Sequence, residues 1–264
     1  MSSPVLETRD SRGVVTLTID RPAQRNALDS VVMDAMTAAF AGVAADASVR
    51  AVVIAGAGPV FCAGVDFGWL RQAQAQDGAA NRADSEKLAA MYQAIDACTR
   101  PVVARVQGGA WAGGCSLIAA CDVVVADDNA RFAITEARIG LTPSLMLPYM
   151  MGRVGLRQVR RYCLTGETFD VETARRISLV SKVVPEASLD AAVADVVDAL
   201  LHCAPDSLLQ TKALVREWTR PPASDAAIGL AVDAFAAGRG GDEAREGLSA
   251  RDGARPPQWA TGSD

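Results

Sequence analysis

Apolar positions along this chain follow two periods. In residues 14–20 (VVTLTID) Val15, Leu17 and Ile19 fall on one face and the threonines on the other, the period of two of a half-buried strand. The runs at 51–55 (AVVIA), 101–106 and 122–126 are almost wholly apolar, which suits strands covered on both faces of a parallel sheet. Between them the period lengthens. Asp29 stands where a helix N-cap belongs, and Val32, Met36, Phe40 and Val43 follow on one stripe. A second helix is predicted over 83–99, and the stretch QGGAWAGGCSLIAACD from Gln107 reads as a loop entering a short buried helix. Buried strands alternating with helices predict an α/β core.

Beyond residue 154 the pattern becomes almost purely helical. Helices are predicted over 189–201, with Val193, Val196, Val197 and Leu200 along one side, and over 207–218 and 226–237, before a Gly/Arg/Pro-rich tail. We divide the chain into an α/β core, 1–199, and a helical region, 200–264. Residues 69–85 are too poorly patterned to assign beyond a mobile helix. No repeat of 20–50 residues is visible by letter identity, although strand and helix recur loosely.

Composition narrows the function classes. The 264 residues are 50% apolar and 22% charged, enough to bury a substantial core. Twenty-six basic against 31 acidic residues leave a net charge of -5, and no Lys/Arg run supplies the basic face that phosphate neutralisation on nucleic acid requires. The first ten residues lack a basic-then-apolar signal pattern, and the most apolar stretch is broken by Arg105, Gln107 and Asp122, so neither export nor a membrane span is expected. Six cysteines without CxxC spacing point to reduced thiols in a cytoplasmic protein. The single histidine, His202, reads as a half-buried helix residue. Its isolation removes zinc clusters and most histidine acid/base schemes, leaving carboxylates and backbone to carry any chemistry.

Two glycine-containing loops follow buried strands, FCAGVD at 61–66 and WAGGCS at 111–116. Neither GxGxxG nor GxxxxGK[ST] is present. Glycines ahead of a helix let backbone N–H groups point outward, and the helix N-terminus adds positive potential, so the second loop suits an anion or a developing oxyanion. Close packing of a helix on a strand explains the same glycines.

Five segments in order resemble the enoyl-CoA hydratase/isomerase, or crotonase, superfamily over nearly the whole chain. RPAQRNALD (21–29) resembles its first CoA-binding segment, GPVFCAGVDF (58–67) and VQGGAWAGGCSLIAACDVVVA (106–126) its two oxyanion loops. FAITEARIGLTP (132–143) resembles its catalytic-glutamate segment, and LTGETFDVETARRISLVSKVVP (164–185) the segment closing its core. The resemblance implies a spiral of repeated ββα units with a C-terminal helical trimerisation region, assembled as a homotrimer or a dimer of trimers. It also implies an acyl-CoA thioester as substrate, with no cofactor beyond the coenzyme A that the substrate carries.

Carried over by residue, the resemblance gives the backbone N–H groups of Val65 and Gly113 the thioester oxygen to hold. It gives Arg25 the CoA phosphates, and Ala27, Ala63 and Asp66 the nucleotide and pantetheine. Glu136 matches the second glutamate of the family's hydratases, whereas Ser116 stands where the first belongs. Apolar flanks around Glu136 would raise its pKa toward neutrality, although pairing with Arg138 is an equally ordinary fate for it. Trp111, Leu141, Met146 and Leu147 are expected to wall the acyl pocket or to pack the core. The stretch LTPSLMLPYMMGRVG looks like hydratases of branched, glutaconyl-type esters, and AGGC without a following glutamate looks like Δ3,Δ2-enoyl-CoA isomerases. Hydration of a 2-enoyl-CoA is the leading reading and isomerisation its rival. A serine hydrolase using Ser116 and a silent acyl-CoA binder represent other classes.

Overall fold

The apolar runs at 51–55, 101–106 and 122–126 form the centre of a six-stranded sheet. The computed structural model describes residues 3–219 and 225–259. In chain order its strands are β1 (Val5–Arg9), β2 (Val14–Ile19), β3 (Ala51–Gly56), β4 (Val102–Val106), β5 (Gly109–Trp111), β6 (Val123–Asp127), β7 (Arg131–Ala133), β8 (Phe169–Asp170) and β9 (Lys182–Val184). Its helices are α1 (Ser30–Ala45), α2 (Phe67–Gln72), α3 (Gly78–Asp96), α4 (Gly113–Ala119), α5 (Leu147–Val154), α6 (Leu156–Thr165), α7 (Val171–Arg176), α8 (Leu189–Leu201), α9 (Pro205–Thr219), α10 (Asp225–Gly240) and α11 (Asp242–Asp252).

The large sheet has the order β1-β2-β3-β4-β6-β9, antiparallel only between β1 and β2, and a second sheet has the order β5-β7-β8. Alternate residues of the central strands serve two cores. Val53, Val103 and Val125 pack with Leu189, Val193 and Val197 of α8, while Val52, Ile54, Val102 and Val124 join the main core with α1 and α3. Both faces are covered, which is why these strands carry no polar alternation.

The repeat becomes visible in space. Each of β4 and β6 crosses to a short strand of the second sheet, β5 or β7, before the chain turns helical, and after β3 the single bridge Cys62↔Ala110 does the same work. This is the ββα spiral, written in pieces too short for periodicity to register. The purely helical reading beyond residue 154 is corrected by β8 and β9, and the expected tail holds α11.

Local expectations fared variously. Asp29 caps α1, its carboxylate accepting from the Val32 N–H at 3.0 Å, and Val32, Met36, Phe40 and Val43 are buried as the stripe predicts. The unassigned stretch after residue 69 is anchored: Asp66 caps α2, Trp69 and Leu70 are buried, and α3 begins at Gly78 behind the cap of Asp77. The boundary drawn at 199/200 falls in the last turn of α8. Past it, α10 packs on α3 and α11 on the 136–139 turn. Val232 and Phe235 are buried within this chain. His202 is exposed, not half-buried, with Nδ1 2.7 Å from the Asp198 carbonyl oxygen.

Candidate active site

Four successive turns of the spiral supply the site, after β2, β3, β5 and β7. Segment 25–28 is laced to segment 63–66 by backbone bonds: Ala63 N–H to the Arg25 carbonyl (2.9 Å), Leu28 N–H to that of Gly64 (2.8 Å) and Asp66 N–H to that of Leu28 (2.9 Å). Buried Asn26 organises the bend, donating from Nδ2 to the Ala57 and Val60 carbonyls at 2.8 Å and accepting from the Arg21 N–H. Gly64 has φ +95, and a Cβ there would stand 2.8 Å from the Trp111 carbonyl oxygen and 3.3 Å from the Gly113 nitrogen. Only glycine lets the two loops approach this closely.

Val65 and Gly113 are thereby brought together. Among the described residues neither N–H has a hydrogen-bond acceptor. Ala112, ahead of α4, adopts φ 47 and ψ -121, a conformation costly for a residue with a Cβ and held by its own N–H to the Ala133 carbonyl (2.8 Å). It turns the chain so that Gly113 opens α4 with its N–H free.

Glu136 begins the short turn after β7. Its carboxyl is buried, its Oε2 has no partner, and burial pushes its pKa up to about 7. Its Oε2 makes no bond to Arg138, the partner the sequence offered. The carboxyl lies near α4: it disfavours ionisation of both Tyr92 and Cys115, and β7 pairs Ala133 with Trp111 of β5.

Ser116 is buried on α4 in the neighbourhood of Tyr92, whose hydroxyl donates to the Gly113 carbonyl at 2.9 Å. Its neighbour is therefore Tyr92 and not the exposed His202.

Arg25, Ala27, Ala63, Val65 and Asp66 line one open cleft of about 590 Å³ together with Trp111 and Thr135. Arg25 lies over the Trp111 ring, 5.0 Å from its centroid. Leu141 and Met146 are core residues, and Leu147 packs against them. The sequence reading missed Tyr92, Asn26 and two further cleft residues, Arg138 and Arg251. Arg251 comes from α11 and stacks 3.8 Å over Phe67. Three guanidinium groups thus face one cleft in a protein of net charge -5. Among the described residues no cluster of His, Cys, Asp or Glu could hold a metal ion, and no helix is long and apolar enough to cross a membrane.

The sequence pattern of the family described as enoyl-CoA hydratase/isomerase matches residues 9–262. The chain belongs to this family. A crystal structure of an enoyl-CoA hydratase from Mycobacterium avium superimposes with a TM-score of 0.87 at 32% identity, covering 98% of this chain and 100% of that one. The 2,3-dehydroadipyl-CoA hydratase of Escherichia coli is 34% identical over 69% of this chain and 70% of its own length. The short-chain-enoyl-CoA hydratase of Clostridium acetobutylicum is 28% identical over 89% and 88%. The fold of this family member is accordingly the crotonase fold.

Proposed function

We propose that this crotonase-family protein is an enzyme that adds water across the double bond of a 2-enoyl-CoA thioester. The observation that carries the reading is Glu136: a buried carboxyl whose Oε2 has no partner and whose pKa burial pushes up to about 7, on the turn after β7, the strand that pairs with β5 just ahead of Gly113. The thioester oxygen accepts from Val65 and Gly113, which makes the β-carbon electrophilic. Ionised Glu136 takes a proton from water as the water oxygen bonds to that carbon. Electrons move to the thioester oxygen, and the enolate is held by the two donors, each contributing roughly 3–4 kcal/mol. Glu136 then returns the proton to the α-carbon, so one carboxyl completes the addition. Arg25, Arg138 and Arg251 suit the CoA phosphates, and Ala27, Ala63 and Asp66 border the thread between phosphate and thioester.

One observation favours a second reading, Δ3,Δ2 isomerisation. Ser116, neutral and near Tyr92, stands at the position of a second water-holding carboxylate, and isomerisation needs only one base. A branched or glutaconyl-type acyl group would favour hydration by helping to orient the water. We extend the proposal to a homotrimer or a dimer of trimers. α9 carries no fully buried described side chain and exposes Leu214, a face suited to another copy, and a monodisperse monomer by light scattering at micromolar concentration would end that part.

The deciding experiment assays 2-enoyl- and 3-enoyl-CoA esters, straight, branched and carboxylated, with wild type and Glu136→Gln. Hydration lost at least about a hundredfold in the variant supports the proposal. Efficient 3-to-2 isomerisation with negligible hydration selects the second reading. Tight binding with no exchange of α-protons in deuterium oxide leaves a silent acyl-CoA binder.

A further inference from the structure

Arg239, on α10, is fully buried with an incomplete set of partners. Its guanidinium lies on the Trp69 indole, Cζ 3.5 Å from the ring centroid, which occupies a face and leaves the N–H groups on the rim. Nη2 donates to the Trp69 carbonyl at 3.1 Å and stands 3.8 Å from the Asp84 carboxylate, beyond hydrogen-bond reach. Nε and Nη1 have no acceptor. Burial outweighs the attraction of Asp84 and pulls the guanidinium down to about 10. Asp84 supplies one anionic neighbour through Nη2 but leaves the Nε and Nη1 side of a buried cation unsatisfied, which is costly and leaves room for a second acceptor group.

The surroundings are polar in the same incomplete way. Gln74, Gln76 and Asn81 each use the amide nitrogen, toward the Arg239 carbonyl, Asp84 (3.1 Å) and the Ala73 carbonyl (3.0 Å), and each leaves its buried side-chain oxygen without a donor.

The cluster adjoins the active site. A Cβ on Gly238, the preceding residue, would stand 4.0 Å from Leu141 Cδ2 and 3.9 Å from the Thr142 nitrogen, and the Leu141 N–H bonds to the Glu136 carbonyl at 3.0 Å. On the other side, Trp69 directly follows Phe67 and Gly68 of the cleft wall. Arg239 therefore lies between the segment that bears Glu136 and the helix that continues the first oxyanion loop.

We propose that Arg239 receives a carboxylate at the far end of the acyl chain, so that the preferred substrates are CoA thioesters of dicarboxylic acids. The inference rests on the acyl-CoA reading of the cleft. A carboxylate supplies the acceptors that Nε and Nη1 lack, and water entering with it supplies donors to the amide oxygens, whereas an alkyl terminus supplies neither.

The test is calorimetric binding of saturated, unreactive esters, glutaryl- and adipyl-CoA against pentanoyl- and hexanoyl-CoA, to wild type and Arg239→Met. Wild type is expected to bind the dicarboxylic esters at least about tenfold more tightly than their uncharged counterparts. Arg239→Met should abolish that preference while holding the uncharged esters within about twofold of wild type. Parity in the wild type overturns the proposal, as does a variant that weakens both kinds of ester equally. Should Arg239→Met fail to fold, the wild-type comparison decides by itself. Parity with tight binding of all four esters removes only the role of Arg239, while failure to bind any of them removes the acyl-CoA reading beneath it.

Discussion

A Cβ built on Gly113 would stand 3.1 Å from Cγ2 of Val65 and 2.8 Å from the Tyr92 hydroxyl oxygen. The two proposed oxyanion donors are therefore neighbours in space, and the glycine is required by its surroundings. Gly113→Ala keeps the N–H yet must displace Val65 or Tyr92, so kcat should fall at least about tenfold. Gly113→Pro removes the donor and should abolish turnover. Val65→Ala keeps its N–H and should be mild. An equally harsh result there, in a protein of normal thermal stability, would assign the chemistry to the side chain.

For Glu136 the sign of the pH effect is fixed by the raised pKa. The carboxyl titrates near 4.5 when unfolded and near 7 in the fold, so the folded state prefers the protonated form. Stability from this group is fully present below pH 4.5 and declines by roughly 3 kcal/mol as pH rises through 7. Glu136→Gln should remove that decline, and calorimetric melting from pH 4.5 to 8 should show the variant gaining on wild type throughout the window. In the wild type kcat/KM for hydration should rise toward a plateau past about pH 7. A profile flat across neutrality would place the base elsewhere.

Tyr92 holds the Gly113 carbonyl, and we propose that Ser116 acts through Tyr92. Tyr92→Phe should lower kcat about tenfold, the span of one buried hydrogen bond, with little change in KM. Adding Ser116→Ala to that variant should cost nothing further, because its partner hydroxyl is already gone. Additive losses in the double-mutant cycle would give Ser116 a separate contact with water or substrate.

Arg25→Ala should raise KM for acyl-CoA several-fold, by about 1 kcal/mol of lost phosphate attraction, and leave kcat unchanged. The effect should shrink as salt is raised. Steady-state kinetics at low and high ionic strength check both halves, and a salt-independent loss of kcat would contradict a phosphate contact.

What the sequence showed follows from length and periodicity. The parallel core was legible because β3 is apolar throughout and β4 nearly so, broken only by Arg105, and α1 because its cap and stripe agree. β5, β7 and β9 are three residues each, shorter than a single pattern, so the second sheet and the spiral repeat emerged only in space. The motif carrying Gly64, Val65 and Gly113 was readable, since a loop next to its strand is a local feature. Tyr92 and Arg251 were not: Tyr92 comes from α3, outside both loops, and Arg251 from α11 far along the chain, and a tyrosine in an apolar stripe or an arginine in a polar helix carries no local mark. Arg239 has the same anonymity in sequence, one charge among many, until its burial is seen.

The last helix, α11, lies directly on the turn that carries the site carboxyl: a Cβ on Gly247 would come within 2.7 Å of the Ile139 backbone. A chain emerging from the ribosome lays down both oxyanion loops and Glu136 long before this helix exists. Until α11 closes, the turn that carries the carboxyl lacks this cover, and Arg251 is missing from the cleft. A polypeptide synthesised only as far as the two oxyanion loops and Glu136 thus carries its motifs with the cleft one guanidinium short.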